Sequence, residues 1–329
     1  MKQFLKYVIR ILLFAAVLFI LFRKIDFGHF EKLFSQASLL LVAAALFFYY
    51  LKYALMAGRW KMSCIAHGKN IPMKTLASLQ VEIAFLEIIF PLPDSEDALR
   101  ILNMRARDYS ISESIAITLY DRMAGIAVLL SLFPFSLLAF GSAVFKQYEV
   151  SNLTAFFAVL CGLLAVLFHR SILRAIILLA EKYSGKHFAL LAGLKNELLK
   201  SIPSFVLAQS IALALAYAAC GTLAPWLLVK AFGADVSFLS LIAAIPLFYL
   251  SAILPLSWQG LGLYETTLVF ILQLSGVEKE IALATGMIHF LFHIAVIFTG
   301  GALHLFKPGK TNLEISIAHL TSRLFKRRV

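Results

Sequence analysis

Long apolar runs separated by short charged punctuation dominate the chain. Six runs, 4–22, 37–57, 115–139, 153–168, 203–229 and 281–305, approach the length a helix needs to cross hydrocarbon, with 153–168 the shortest. Two further segments, 75–108 and 238–274, are apolar but broken. In the first, Pro91, Pro93, Asp94, Glu96 and Asp97 interrupt the run. In the second, Pro255 through Gly260, Gly262 and Glu265 do the same. Proline removes a backbone donor and clashes with the preceding turn, so a helix cannot continue through either break. Irregular backbone at membrane depth is tolerated only inside protein or beside a wet cavity. With Pro91 set over Pro255, an offset of about half the chain, Thr118 falls close to Thr285 and Arg122 close to His289. Paired interruptions of this kind point to a binding site at the interface of two repeats.

The pattern predicts an all-α polytopic membrane protein with about six full spans and two re-entrant helical hairpins in an inverted repeat, eight apolar segments in all. One membrane-embedded domain, 1–306, would contain repeat halves of about 37–139 and 203–305, followed by a basic cytoplasmic tail, 307–329. The choice of hairpins over full crossings comes from the basic residues. With hairpins, 22 of the 30 Lys and Arg fall on the side of the N-terminus and six on the other, while Lys52 and Arg122 lie inside spans. That is the positive-inside pattern, with both termini cytoplasmic. Full crossing would move loops 94–113 and 169–201, nine bases, to the outside. Residues 171–200 read as an interfacial helix. The N-terminus has Lys2, Lys6 and Arg10 before an apolar run but no small-residue cleavage site, so it reads as an uncleaved first span.

Composition agrees. The 329 residues are 61% hydrophobic, and mean hydropathy is +0.88. The net charge of +12 sits in short loops, which suits anionic lipid headgroups rather than nucleic acid. Cys64, Cys161 and Cys220 lie far apart and form neither a disulfide framework nor a metal spacing.

Ionisable groups inside a bilayer cost at least ~2.5 kcal/mol each and have partners or a task. Glu82, Glu87, Asp121, Arg122, Glu265, His289 and His293 are of this kind. Glu82 and Glu87 are five apart and diverge by roughly 140° on a helix, so they do not pair. His289 and His293 share a face, and hydrogen bonds to neighbouring helices are expected of them rather than a metal. Asp121-Arg122 is read as opening a span, where Arg122 serves either in an internal ion pair or as a phosphate ligand. Arg100 is placed to reach headgroup depth. Arg59-Trp60 follows the second span, where a stop-transfer charge beside an interfacial aromatic is the favoured reading over a ligand. Gly260 and Gly262 permit a tight hairpin turn. Glu265, opening the short arm, can cap its own helix or receive a cation. Asp94, Glu96 and Asp97 read as solvated or paired with Arg105 and Arg107.

These residues together resemble one family. Arg59-Trp60, Pro91 followed by Asp97-Ala98-Leu99-Arg100, Asp121-Arg122 with Gly125, and Pro255 with Gly260-Leu261-Gly262 and Glu265 are similar to the membrane flippase domain of lysylphosphatidylglycerol synthases and its stand-alone relatives. The resemblance covers about 35–305. That family often carries glycines just before the Asp-x-x-Arg segment, where this chain has Ser95 and Glu96. It implies a lipid flippase moving a phospholipid, aminoacylated or not, or a related lipid-phosphate across a bacterial or archaeal cytoplasmic membrane. The larger members carry a soluble aminoacyl-transferase domain; with the chain ending at Val329, no enzyme activity and no cofactor or metal are expected. Arg59, Arg100 and Arg122 would hold phosphate. Glu82, Glu87, Asp97, Asp121 and Glu265 would balance them or take a cation. Membrane lipids are the expected partners, with a separate lipid-modifying synthase and an oligomer both compatible. The rival classes are a small-solute transporter, proton-coupled through Glu82, Glu87 or the histidines, and a transferase acting on polyprenyl-phosphate or glycolipid through Asp94, Glu96 and Asp97.

Overall fold

Helices carry almost all of the described chain, and no strand occurs among the described residues. A computed structural model describes residues 34–89, 95–144, 193–194, 196–198, 200, 202–253 and 262–306. Its main helices are α1 (Leu39–Ala66), α2 (Met73–Ile89), α3 (Ser95–Arg105), α4 (Ile111–Val144), α5 (Ser204–Ala231), α6 (Phe238–Ala243), α7 (Ile245–Ile253), α8 (Leu263–Leu274) and α9 (Lys279–Leu305). Four stretches, Leu39–Ala66, Ile111–Phe140, Ser204–Ala231 and Lys279–Leu305, are long and apolar enough to cross a membrane. The chain is therefore a multi-pass membrane protein. The expected spans 4–22 and 153–168, most of 171–200, the tail, and Pro91, Pro93, Asp94, Pro255 and Gly260 lie outside the described residues.

Three expectations about these elements change. The second span does not stop at 57: α1 runs on to Ala66 and carries Arg59 and Trp60 within it. Both side chains are buried in protein, so neither acts at the end of a span. The third span starts at Ile111 rather than 115, because Ser110 and Glu113 form a capping box. The Glu113 N–H donates to Ser110 Oγ at 3.1 Å, and the Ser110 N–H donates to the Glu113 carboxylate at 2.7 Å. Asp121 and Arg122 therefore sit in the third turn of α4, not at its opening. Finally, segment 238–254 is two helices, broken at Ala244. Pro246 has no N–H to offer the Ile242 carbonyl, and the Leu247 and Phe248 N–H groups that follow both donate to the Ala244 carbonyl.

The elements repeat along the chain. α1 ends with the Gly68 N–H on the Ile65 carbonyl and the Lys69 N–H on Cys64; α5 ends with Gly233 on Lys230 and Ala234 on Val229. α3 ends with Asp108 on Arg105 and Tyr109 on Met104; α8 ends with Gly276 on Gln273 and Val277 on Leu272. All four are Schellman closures, and Gly68, Gly233, Asp108 and Gly276 each have the positive φ that the motif requires. Ser95 and Leu263, Asp108 and Gly276, and Ile111 and Lys279 are each 168 positions apart. A long helix, a broken arm, a short helix and a second long helix therefore occur twice.

The described residues fall into two compact units, with α2 and α3 in one, α6, α7 and α8 in the other, and the four long helices divided between them. One comprises residues 54–127, the described part of 164–214, and 296–306. Here α2 packs on α3, over an apolar core of Trp60, Cys64, Leu76, Ile83, Leu99 and Ile117. The helix end at His67 is tied down by its Nδ1–H on the Ser63 carbonyl at 2.9 Å. Burial pushes this imidazole below its ordinary range. The end of α9 lies close on α2, where a Cβ at Gly300 would collide with the Val81 carbonyl and one at Gly301 would meet the Phe85 ring at 3.1 Å. Small residues permit such approach between membrane helices. The other unit comprises the described residues of 1–53, 128–163 and 215–295. Within it α7 packs on α8, and Gly286 of α9 lies against Val269 and the Glu265 carbonyl of α8.

Gly300→Ala is expected to destabilise the protein by roughly 1–3 kcal/mol, because backbone rather than a flexible side chain must yield. Gly221→Ala, where an added Cβ meets nothing within 4 Å, should cause no loss. Thermal unfolding of the two variants in detergent checks the contrast.

Candidate functional site

Within the unit built around α2 and α3, three arginines meet three carboxylates. α1 supplies Arg59, which grips Asp121 of α4 with two parallel hydrogen bonds, Nε to Oδ1 at 2.7 Å and Nη2 to Oδ2 at 3.0 Å. Gly125, one turn further along α4, leaves room for this guanidinium: a Cβ there would stand 3.1 Å from Arg59 Nη1. α3 supplies Arg100. Its Nη1 donates to Asp121 Oδ2 at 2.8 Å, and its Nη2 donates to Gln80 of α2 at 2.9 Å and pairs with Glu96 at 2.8 Å. The Trp60 ring lies under the guanidinium, 5.0 Å from its centroid. α4 also supplies Arg122. It forks onto Asp97 through Nε and Nη2, at 2.7–3.0 Å, and its Nη2 reaches Glu96 Oε2 at 2.8 Å. Glu96 and Asp97 occupy the first turn of α3, where the helix dipole favours acids.

Charge and burial divide this network into two layers. Arg59, Arg100 and Asp121 are essentially inaccessible, Arg100 and Asp121 at 0% exposure. Arg122 is 36% exposed, and its partners Asp97 and Glu96 are 24% and 16% exposed. Arg59, Arg100 and Asp121 thus form an inner clamp that joins α1, α3 and α4. Arg122 with Asp97 forms an outer pair that a ligand can reach. Neither Glu96 nor Asp97 pairs with Arg105 or Arg107, contrary to expectation. Those arginines instead donate to the backbone carbonyls of Tyr109 and Asn103, because Arg100 and Arg122 already occupy the acids.

The remaining candidates are placed as follows. Glu87 accepts from Ser95 Oγ at 3.2 Å, across the break between α2 and α3. Glu82 is buried and faces the other way, with His304 Nδ1 2.7 Å from its Oε1. The two acids diverge, as the helix geometry requires. Glu265 belongs to the other unit, at the third position of α8. It accepts the Gly262 N–H at 2.8 Å, so it does cap its own helix, and His289 Nδ1 of α9 lies 3.4 Å away. His289 stacks on Tyr264 with centroids 4.9 Å apart and meets the edge of Tyr49 at 5.0 Å. His293 Nδ1 is 3.1 Å from the Tyr49 hydroxyl. The Lys52 ammonium sits 3.6 Å from the centroid of Tyr49.

Sequence reasoning passed over Gln80, Tyr49 and Lys52. Gln80 is neutral and gives no intramembrane charge signal. Lys52 was visible as a charge within a span, three residues after Tyr49, but nothing local links it to α9.

Fold and buried charge together define an all-helical, multi-pass membrane protein assembled from a repeated broken-helix element. Residues 7–301 match the lysylphosphatidylglycerol synthase TM region, and the chain belongs to that family. Membership places it among membrane proteins related to lipid handling. Among curated proteins, none matches the chain.

Asp121→Asn would leave Arg59 and Arg100 buried without their shared anion, a change worth ~3–5 kcal/mol of destabilisation. Arg122→Gln, at the solvent edge, should cost about 1 kcal/mol or less. Thermal unfolding in detergent separates the layers: equal losses for the two variants would refute the division.

Proposed function

We propose that the protein is a lipid flippase that moves a phospholipid, aminoacylated or not, or another lipid-phosphate across a bacterial or archaeal cytoplasmic membrane, with both termini cytoplasmic. The observation that carries this reading is the exposed Arg122, held in a forked geometry by Asp97 and Glu96. A guanidinium presents two parallel donors that match phosphate oxygens as well as carboxylate. A lipid phosphate would displace Asp97 from Arg122. The carboxylate it frees would remain beside the site, able to meet an ammonium carried on the same headgroup.

This exchange has a mechanical consequence. The bonds from Arg122 tie α4 to the first turn of α3. Replacing Asp97 with a diffusible anion loosens only the first turn of α3 from α4. The inner clamp, out of reach, keeps α1, α3 and α4 registered meanwhile. In this reading the broken arms are re-entrant hairpins, inverted with respect to one another, an arrangement that the distribution of basic residues in the sequence favours. The chain itself performs no covalent chemistry and uses no cofactor, and a separate lipid-modifying synthase would supply any aminoacylated lipid. Two carboxylate–imidazole pairs, the part-buried pair of Glu82 with His304 and the buried pair of Glu265 with His289, favour a second reading in which protons drive transport.

Reconstituted into liposomes, the wild-type protein should move fluorescent phosphatidylglycerol between leaflets. Arg122→Ala should slow that movement about tenfold or more, since a charge-assisted pair is lost, whereas Arg122→Lys should retain part of it. An Arg122→Ala protein that melts normally and transports at the wild-type rate would overturn the proposal.

A further inference from the structure

Three buried polar atoms on α9 have no hydrogen-bond partner: Thr285 Oγ1, His289 Nε2 and His293 Nε2. They are spaced by four residues and so share one helix face. Thr285 is fully buried and His289 is 3% exposed. Both imidazoles are held by their other nitrogen, His289 by Glu265 and His293 by the Tyr49 hydroxyl. Their rings are therefore oriented, with Nε2 left over. Lys52 belongs to the same cluster, its ammonium over Tyr49 and 5.4 Å from the centroid of Tyr53. Among the described residues, no carboxylate lies within ion-pair distance of it, and Glu265 attracts it from farther off.

A buried polar group without a partner is costly, and a buried ammonium without an anion more so. The leftover groups are an ammonium, a hydroxyl and two imidazole nitrogens. The ammonium and the hydroxyl donate. His293 donates from Nε2 when its Nδ1 accepts from Tyr49, and His289, whose Nδ1–H serves Glu265, donates from Nε2 as the imidazolium. A cationic ligand would be repelled by Lys52. A neutral one would leave the ammonium unanswered. An oxyanion can accept from the ammonium and from donors on this helix face, and charge-assisted bonds of this type are the strong ones. Glu265, on the far side of His289, offsets the charge of an imidazolium whose Nε2–H points to the anion.

We propose that Lys52, Thr285, His289 and His293 form a second anion subsite, which binds a phosphate as a lipid headgroup or as the free ion. It shares no residue with the Arg122 pair. Only the lipid source of the phosphate rests on the transport reading; the subsite stands without it.

The test uses the full chain in a phosphate-free sugar detergent, with inorganic phosphate and the soluble short-chain lipid dihexanoyl-phosphatidylglycerol as probes. Calorimetry gives the affinity, and the ring-carbon NMR signals of His289 and His293 report the location. Either probe should shift both histidine signals. A tighter response to the lipid assigns the site to a headgroup, and an equal or tighter response to inorganic phosphate assigns it to the free ion. Lys52→Gln should weaken binding about tenfold or more, while Lys52→Arg should stay within a few-fold of wild type. Thr285→Val, expected to lose affinity several-fold, serves if Lys52→Gln does not fold. In Arg122→Ala both histidine signals should still shift. Histidine signals unmoved by both probes, or wild-type affinity in folded Lys52→Gln and Thr285→Val, would overturn the subsite. Neither result bears on whether Arg122 moves lipid.

Discussion

A guanidinium with no access to solvent governs the first unit. Arg100 must spread its charge over acceptors supplied by the protein, and Asp121, Glu96 and Gln80 are those acceptors. Each comes from a different place: α4, its own first turn, and α2. Among lipid-facing helices there is little hydrophobic force to choose one packing over another, since lipid tails are as apolar as leucine. Hydrogen-bonded charge supplies the missing specificity. Arg59 adds α1 to the same anchor through Asp121. With Arg122, Glu96 and Asp97 included, three positive and three negative groups balance within the network.

The second unit uses the same backbone for different chemistry. Asp97 and Glu265 are both third residues of their short helices, and both reach the long helix that follows, Asp97 to Arg122 and Glu265 to His289. The partner in the first case is a permanent cation. In the second it is an imidazole set among tyrosines, with Lys52 beside it. One scaffold therefore presents a charge-saturated cluster in one copy and, in the other, a cluster whose ammonium has no carboxylate within ion-pair distance. The repeat survives as turns and helix starts, in the four Schellman closures, while the side chains have diverged.

Much of this architecture was legible in the sequence. Four apolar runs became long helices with ends shifted by a few residues, or by nine at Ala66. Local signals explain two of the differences. Ser110-x-x-Glu113 marks the start of α4, and Pro246 marks the break between α6 and α7. The buried acids and arginines were recognisable because charge in an apolar run is rare. Their pairing was not recognisable. Arg59 and Asp121 are 62 residues apart, and Tyr49 and His293 are 244 apart. No periodicity encodes such distances. Arg59 also looked like the end of a span, because its solvation by Asp121 comes from another helix. Gln80 gave no signal because a neutral amide in an apolar helix costs too little to stand out.

Burial determines which of these arginines can change partners. To leave Asp121, Arg59 or Arg100 would have to be stranded in apolar protein, and nothing outside can reach in to replace the carboxylate. Arg122 faces no such barrier, since its pair with Asp97 already borders an accessible surface, where exposed pairs contribute little and exchange readily. A site that must bind and then release requires this second kind of contact. A scaffold that must keep its shape while doing so requires the first. The two sit one residue apart on α4, at Asp121 and Arg122, where the 100° turn between neighbours directs one side chain to the interior and the other to the edge.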